Sequence, residues 1–257
     1  MIDIFALVVG LVAITVTMIV LWFFSVFLRN VSIVDLFWGP VIALAGYFYF
    51  LPLTSPSLRA FLVLVLVTAW ALRLGIYLFG RNRGKREDRR YAAMRKRNDP
   101  AFWFKSLYLV FLLQAFLAWV VSFPVYGAMQ GDVPLGVIDY AGVALFLFGL
   151  IWESLADWQL SHFLKNKTNR DSVLDTGVWR YSRHPNYFGE FCLWWGLWLL
   201  AVAAGAEWTI VGPLLLSFFL LRISGVAMLE KDISERRPAY QEYIRKTSAF
   251  FPRPPAG

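Results

Sequence analysis

Cysteine is almost missing from this chain: Cys192 is the only one in 257 residues. It excludes an internal disulfide and a thiolate zinc site, and its apolar neighbours read as packing. Histidine is nearly as scarce, with only His162 and His184. No Gly-x-Gly-x-x-Gly follows a strand-like segment, so a Rossmann nucleotide site is excluded. No repeat, inverted duplication or low-complexity tract is visible. The start, Met1-Ile-Asp-Ile-Phe5, lacks the basic region of a secretory leader, and the first cation is Arg29. An uncleaved first span with its N-terminus outside is expected.

Charge is thin and apolar residues abound. Charged residues make up 16% and hydrophobic ones 59%, with a mean hydropathy of +0.57, which places the chain in the membrane class. Seven apolar runs are long enough to cross: residues 5–28, 34–53, 58–79, 107–129, 140–163, 186–204 and 208–229. The net charge of +8 suggests nucleic acid less than the positive-inside rule. Lys and Arg crowd between runs three and four, between five and six, and after seven, whereas 52–57, 130–138 and 205–207 contain none. The expectation is an all-α integral membrane protein with seven transmembrane helices and a cytoplasmic C-terminus, in a bacterial inner membrane. It forms one domain over 1–257.

The chemistry concentrates in Thr176-Gly-Val-Trp-Arg-Tyr-Ser-Arg-His-Pro-Asn-Tyr-Phe-Gly-Glu190. The residue before Pro185 favours extended backbone and proline suits a first helical turn, so a helix should begin there. Asn186 and Glu190 then share a face one turn apart, with Tyr187 beside them. Tyr181, Arg183 and His184 precede them in the turn. Run five ends with Glu153 and Asp157, two acids one turn apart that repel unless one is protonated, paired or bonded to a ligand hydroxyl. Run seven carries Arg222 and Glu230. Arginines suit phosphates and carboxylates suit ribose hydroxyls. His162 falls on another face from the acids, so no metal is expected. Upstream, Asp35 and Trp38 lie three apart. Asp35 reads either as a first-turn acid or as an intramembrane functional group. Arg73 and Tyr77 sit near the end of run three, where Arg73 can equally snorkel. Runs one and four, including Gln114, read as packing. The tail from Pro238 to Lys246 reads as a short helix, with an aromatic and basic anchor on headgroups as its bland alternative.

The stretch from Gly177 to Glu190, with Asp157, Arg222 and Glu230, resembles the steroid 5α-reductase family, and most closely its bacterial membrane branch. Sterol reductases share Arg-His-Pro-Asn-Tyr, and isoprenylcysteine carboxyl methyltransferases share Arg-His-Pro more distantly. The resemblance implies NADPH bound from the cytoplasmic side, mainly by residues 150–257, and a lipid pocket mainly in 30–130. It implies cofactor contacts from Asp157, Asn186, Glu190, Arg222 and Arg73. The same cluster brings in Glu153, Lys165, Tyr181, Arg183, His184, Tyr187 and Glu230. Asp35 falls where the family carries a ketone-binding glutamate, and Trp70 where it carries that glutamate's tyrosine partner. An indole cannot lend a proton, so Asp35 acts alone or another donor such as Tyr77 or a water serves. Trp38, Trp70 and Tyr77 would line the substrate. The expected reaction is hydride transfer to the β-carbon of a 3-oxo-Δ4 steroid or similar enone lipid. The competing reading is S-adenosylmethionine-dependent methylation of a lipid or prenyl-cysteine.

Overall fold

The computed structural model describes residues 3–166, 172–223 and 239–255, and no strand occurs among them. Among the described residues four helices are long and apolar enough to cross a membrane: α1 (Ile4–Leu28), α4 (Leu58–Asn82), α6 (Phe102–Met129) and α7 (Val137–Asn166). The chain is an integral membrane protein. Between them lie α2 (Ile33–Leu36), α3 (Trp38–Phe50) and α5 (Arg89–Asn98). After them come α8 (Pro185–Ala203), α9 (Val211–Phe218) and α10 (Ala239–Lys246). The chain divides into two compact units, Met1–Leu135 with Ala201–Thr209, and Gly136–Leu200 with Ile210–Gly257.

In the first unit the ends of the long helices are capped by side chains the sequence supplies. Asp3 accepts from the Ala6 amide and Ser57 from the Ala60 amide, each satisfying one of the orphan first-turn donors. α1 stops at Arg29, which turns left-handed at φ 50° and returns its N–H to Ser25 and Val26. Tyr49 is fully buried and its hydroxyl meets Ser122 Oγ at 2.8 Å, which joins α3 to α6 inside the apolar core. Trp22 and Trp119 send their indole N–H groups to the carbonyls of Trp103 and Leu7.

The continuous helix expected over 34–53 is broken at Phe37, whose backbone sits at φ −95° and ψ 2°. Pro40 explains the break. In an unbroken helix its ring would collide with the carbonyl of Leu36, whereas in the first turn of α3 it is tolerated. Asp35 is therefore set apart on its own four-residue helix. The run expected at 107–129 begins earlier, at Phe102, and carries a π-helical segment over Leu107–Leu112. The seventh run is described only as far as Ile223, so Glu230 lies outside the described residues.

In the second unit α7 and α8 touch backbone to backbone. A Cβ on Gly149 would fall 2.5 Å from the Gly189 carbonyl oxygen and 2.6 Å from the Leu193 nitrogen. One on Gly196 would fall 2.7 Å from the Gly142 oxygen. Two glycines seven residues apart on each helix thus let the axes approach without intervening side chains, the usual device where lipid offers no hydrophobic drive. This contact sets the position of the motif at the start of α8.

Candidate functional site

Two clusters of polar side chains emerge, one in each unit. In the second unit Glu153 and Asp157 are both 3% exposed, one turn apart on α7, against the first turns of α8. Glycine at position 189 permits this, since a Cβ there would lie 2.7 Å from Glu153 Cβ. Asn186 Nδ2 points to Asp157 Oδ1 at 3.4 Å, so Asp157 and Asn186 are brought together. His184 is buried, and its ring stacks on Tyr187 at 5.6 Å and 6°. Glu190 is half-buried on α8; Tyr181, Lys165 and Arg222 are exposed. Two buried carboxylates beside a carboxamide form a set suited to sugar hydroxyls, which donate to acids and accept from an amide.

Arg183 is buried and does something the sequence reading did not foresee. Its Nη1 donates to the carbonyls of Ile244 and Thr247, at the C-terminal end of α10. Helix C-termini leave carbonyls without intrahelical partners, and a cation there also suits the dipole. Further bonds fasten the same strap. The Arg183 amide donates to Ser248 O, Ser182 Oγ to Phe250 O, and the Arg253 amide to Tyr181 O. Tyr243 donates its hydroxyl to Trp179 O, and Tyr240 and Tyr243 are buried. The tail therefore docks on the motif rather than lying on headgroups. Arg183→Ala should strand buried carbonyls at a cost of about 1–3 kcal/mol. Limited proteolysis should then release the tail at lower protease concentration than in wild type; equal resistance would refute the anchoring role.

In the first unit Asp35, half-buried on α2, is held from α5. Tyr91 Oη donates to its Oδ1 at 2.6 Å and Arg90 Nη2 to its Oδ2 at 2.9 Å. Gln114 Nε2, on α6, donates to the Tyr91 oxygen at 3.2 Å, so this residue is more than packing. Burial first, then the Asp35 charge, raises the Tyr91 phenol well above its ordinary value, so it stays protonated at neutral pH. Burial works against the Arg90 charge, but Asp88 and Asp35 together raise its pKa above the ordinary value.

The segment carrying Tyr91 is clamped to the α1–α2 turn. Glu87 Oε1 accepts from the Val31 amide at 2.8 Å and from Arg95 Nη2 at 2.7 Å. Burial alone would raise Glu87, yet those two bonds and the Arg95 charge hold it below the usual carboxylate range. The Asp88 amide donates to Ser32 Oγ at 2.7 Å.

Trp70 is fully buried in α4 and Trp38 is half-buried. Tyr77 has Arg73 at 5.6 Å and Arg81 at 5.7 Å from its ring centroid, one turn to either side. Among the described residues no group of three or more His, Cys, Asp or Glu side chains gathers to hold a metal.

Residues 21–247 match the profile of a family described as "Protein of unknown function (DUF1295)". The chain belongs to that family. An uncharacterised protein of Schizosaccharomyces pombe is 30% identical, with 96% of this chain and 79% of the yeast protein covered. The protein-S-isoprenylcysteine O-methyltransferase of Saccharomyces cerevisiae is 34% identical over 90 residues, which cover 35% of this chain and 31% of the enzyme. No solved structure matches.

Tyr91 is the residue that sequence reasoning missed. One signal was available. It is the lone aromatic residue of the ten in the strongly basic α5. With Arg95 and Asn98 it marks an i, i+4, i+7 face.

Proposed function

We propose that the protein is a membrane enzyme that modifies a lipid, and specifically that it reduces the conjugated double bond of a 3-oxo-Δ4 steroid or similar enone with NADPH. In this reading seven spans place the N-terminus outside and the C-terminus in the cytoplasm. The observation that carries the reductase reading is the Tyr91 hydroxyl held on Asp35 at 2.6 Å. Enone reduction builds negative charge on the ketone oxygen and needs a donor there, whereas methyl transfer to an acid or thiol needs none.

The donor set of the second unit fits the cofactor. Glu153, Asp157, Asn186 and Glu190 would hold its ribose and amide groups, with Lys165, Arg222, Tyr181 and Tyr187 contributing around them. Arg183 and His184 shape the turn that positions Asn186. Bound NADPH supplies the hydride. Tyr91 would turn its single O–H proton from Asp35 to the ketone oxygen as the electron pair moves there from the carbon–carbon bond, while its own oxygen still accepts from Gln114. Asp35 holds the phenol in place until the ketone arrives, and Arg90 offsets the carboxylate charge. Trp38, Trp70 and Tyr77 line the sterol, and Arg73 is held by Tyr77 beside it. The α-carbon then takes a proton to complete the saturated ketone.

Methylation from S-adenosylmethionine is the second reading, favoured by the 90-residue likeness to the yeast methyltransferase. Ligands that bind the native state raise its thermal midpoint. NADPH should raise that of detergent-purified protein, and S-adenosylmethionine should not. Stabilisation by S-adenosylmethionine with no response to NADPH would reverse the assignment.

A further inference from the structure

Past the acid pair, the cytoplasmic end of α7 opens into a second feature that neither cluster uses. A pocket of about 450 Å³ lies between the last turns of α7 and the chain ahead of Gly177, within the common range for small-molecule sites. One wall is aromatic. Trp158 and His162, one turn apart, have parallel-leaning rings with centroids 5.8 Å apart and 23° between planes. Asn166 continues the same face and its Nδ2 meets His162 Nε2 at 2.9 Å. Ser172, Leu174 and Thr176 complete the lining from the chain ahead of Gly177. Gln159, also in the lining, ties α7 to the other segment by accepting from the Val178 amide at 3.1 Å.

An exposed indole flanked on its own helix face by imidazole and amide groups, in a pocket that also takes in Ser172 and Thr176, suits a flat, nitrogen-rich ring better than an acyl chain. Such a ring stacks on the aromatic wall and finds both donors and acceptors along its edge. The pocket also shares its helix with Asp157, whose neighbour in sequence is Trp158 itself. We propose that it binds the adenine ring of an adenosine-bearing cofactor. This rests on the functional reading above only in requiring such a cofactor, which NADPH and S-adenosylmethionine both are.

The test measures dissociation constants of both cofactors for wild-type protein, Trp158→Ala and Trp158→Phe in detergent, with the unliganded thermal midpoint as a control of folding. Whichever cofactor binds wild type should bind Trp158→Ala about tenfold or more weakly, the usual scale for losing one aromatic stacking partner. Trp158→Phe should bind close to wild type, since a ring face remains. If NADPH is the one that weakens, pocket and reductase reading stand together. If S-adenosylmethionine is, the pocket stands and the reaction class changes. Unchanged affinity in Trp158→Ala, or equal loss in Trp158→Phe, would overturn the adenine site while leaving the enzyme reading intact. A wild-type protein that binds neither cofactor would overturn both.

Discussion

Gly149→Ala is expected to destabilise the second unit by about 3 kcal/mol, at the upper end of the range for overpacking a close-packed contact. The added methyl would lie 2.5 Å from the Gly189 oxygen and 2.6 Å from the Leu193 nitrogen, and both are backbone atoms. A flexible side chain could swing aside, but a helix backbone can yield only by moving as a whole. Gly80→Ala in α4 is the matched control, because a Cβ there meets nothing within 4 Å. Relieving the entropy of a helical glycine should stabilise that variant by roughly 0.5–1 kcal/mol. The comparison is made on unfolding midpoints in detergent. A Gly149→Ala midpoint equal to wild type would mean that α7 and α8 do not touch as described, and the burial of Glu153 and Asp157 would lose its cause.

That contact was not legible beforehand, although its residues were in plain view. Gly142, Gly149, Gly189 and Gly196 are spaced by seven on two helices, yet nothing in a single sequence says that those helices face each other. Long apolar runs were easier. Three of the four crossing helices start and end within a few residues of the runs, because hydropathy and caps such as Asp3 and Ser57 act locally. The break at Phe37 was readable in principle from Pro40 but was overridden by the length of the apolar stretch.

The candidate site divides in the same way. Asn186 and Asp157 meet because the start of α8 at Pro185 follows from local backbone preference. Arg183 carried the right charge, but its partners are carbonyls more than sixty residues away, and a carbonyl leaves no mark in a sequence. Tyr91 reaches Asp35 across 56 positions, from a helix whose charge drew attention away from its one aromatic side chain.

That pair carries the second large effect. Tyr91→Phe should lower turnover of a 3-oxo-Δ4 steroid by on the order of a hundredfold or more, as removal of one oxyanion donor does. The ring remains, so packing in the site is kept, and what is lost is the hydroxyl, which donates to Asp35 and accepts from Gln114. NADPH affinity should be nearly unchanged, since the carboxylates and amide assigned to the nucleotide belong to α7 and α8. Asp35→Ala should also cost turnover, because the phenol then loses the acceptor that holds it in place and Arg90 keeps only Asp88 of its two acid partners. Asp35→Asn retains an acceptor oxygen for Tyr91 and should fall between wild type and Asp35→Ala. An accessory donor acts chiefly on the transition state, so the loss should appear in kcat more than in KM. The assay follows NADPH absorbance, with product mass higher by two hydrogens. Full activity in Tyr91→Phe combined with its loss in Tyr77→Phe would move the donor to α4. No turnover by wild type across steroids and sterol precursors would remove the enone from the reading altogether.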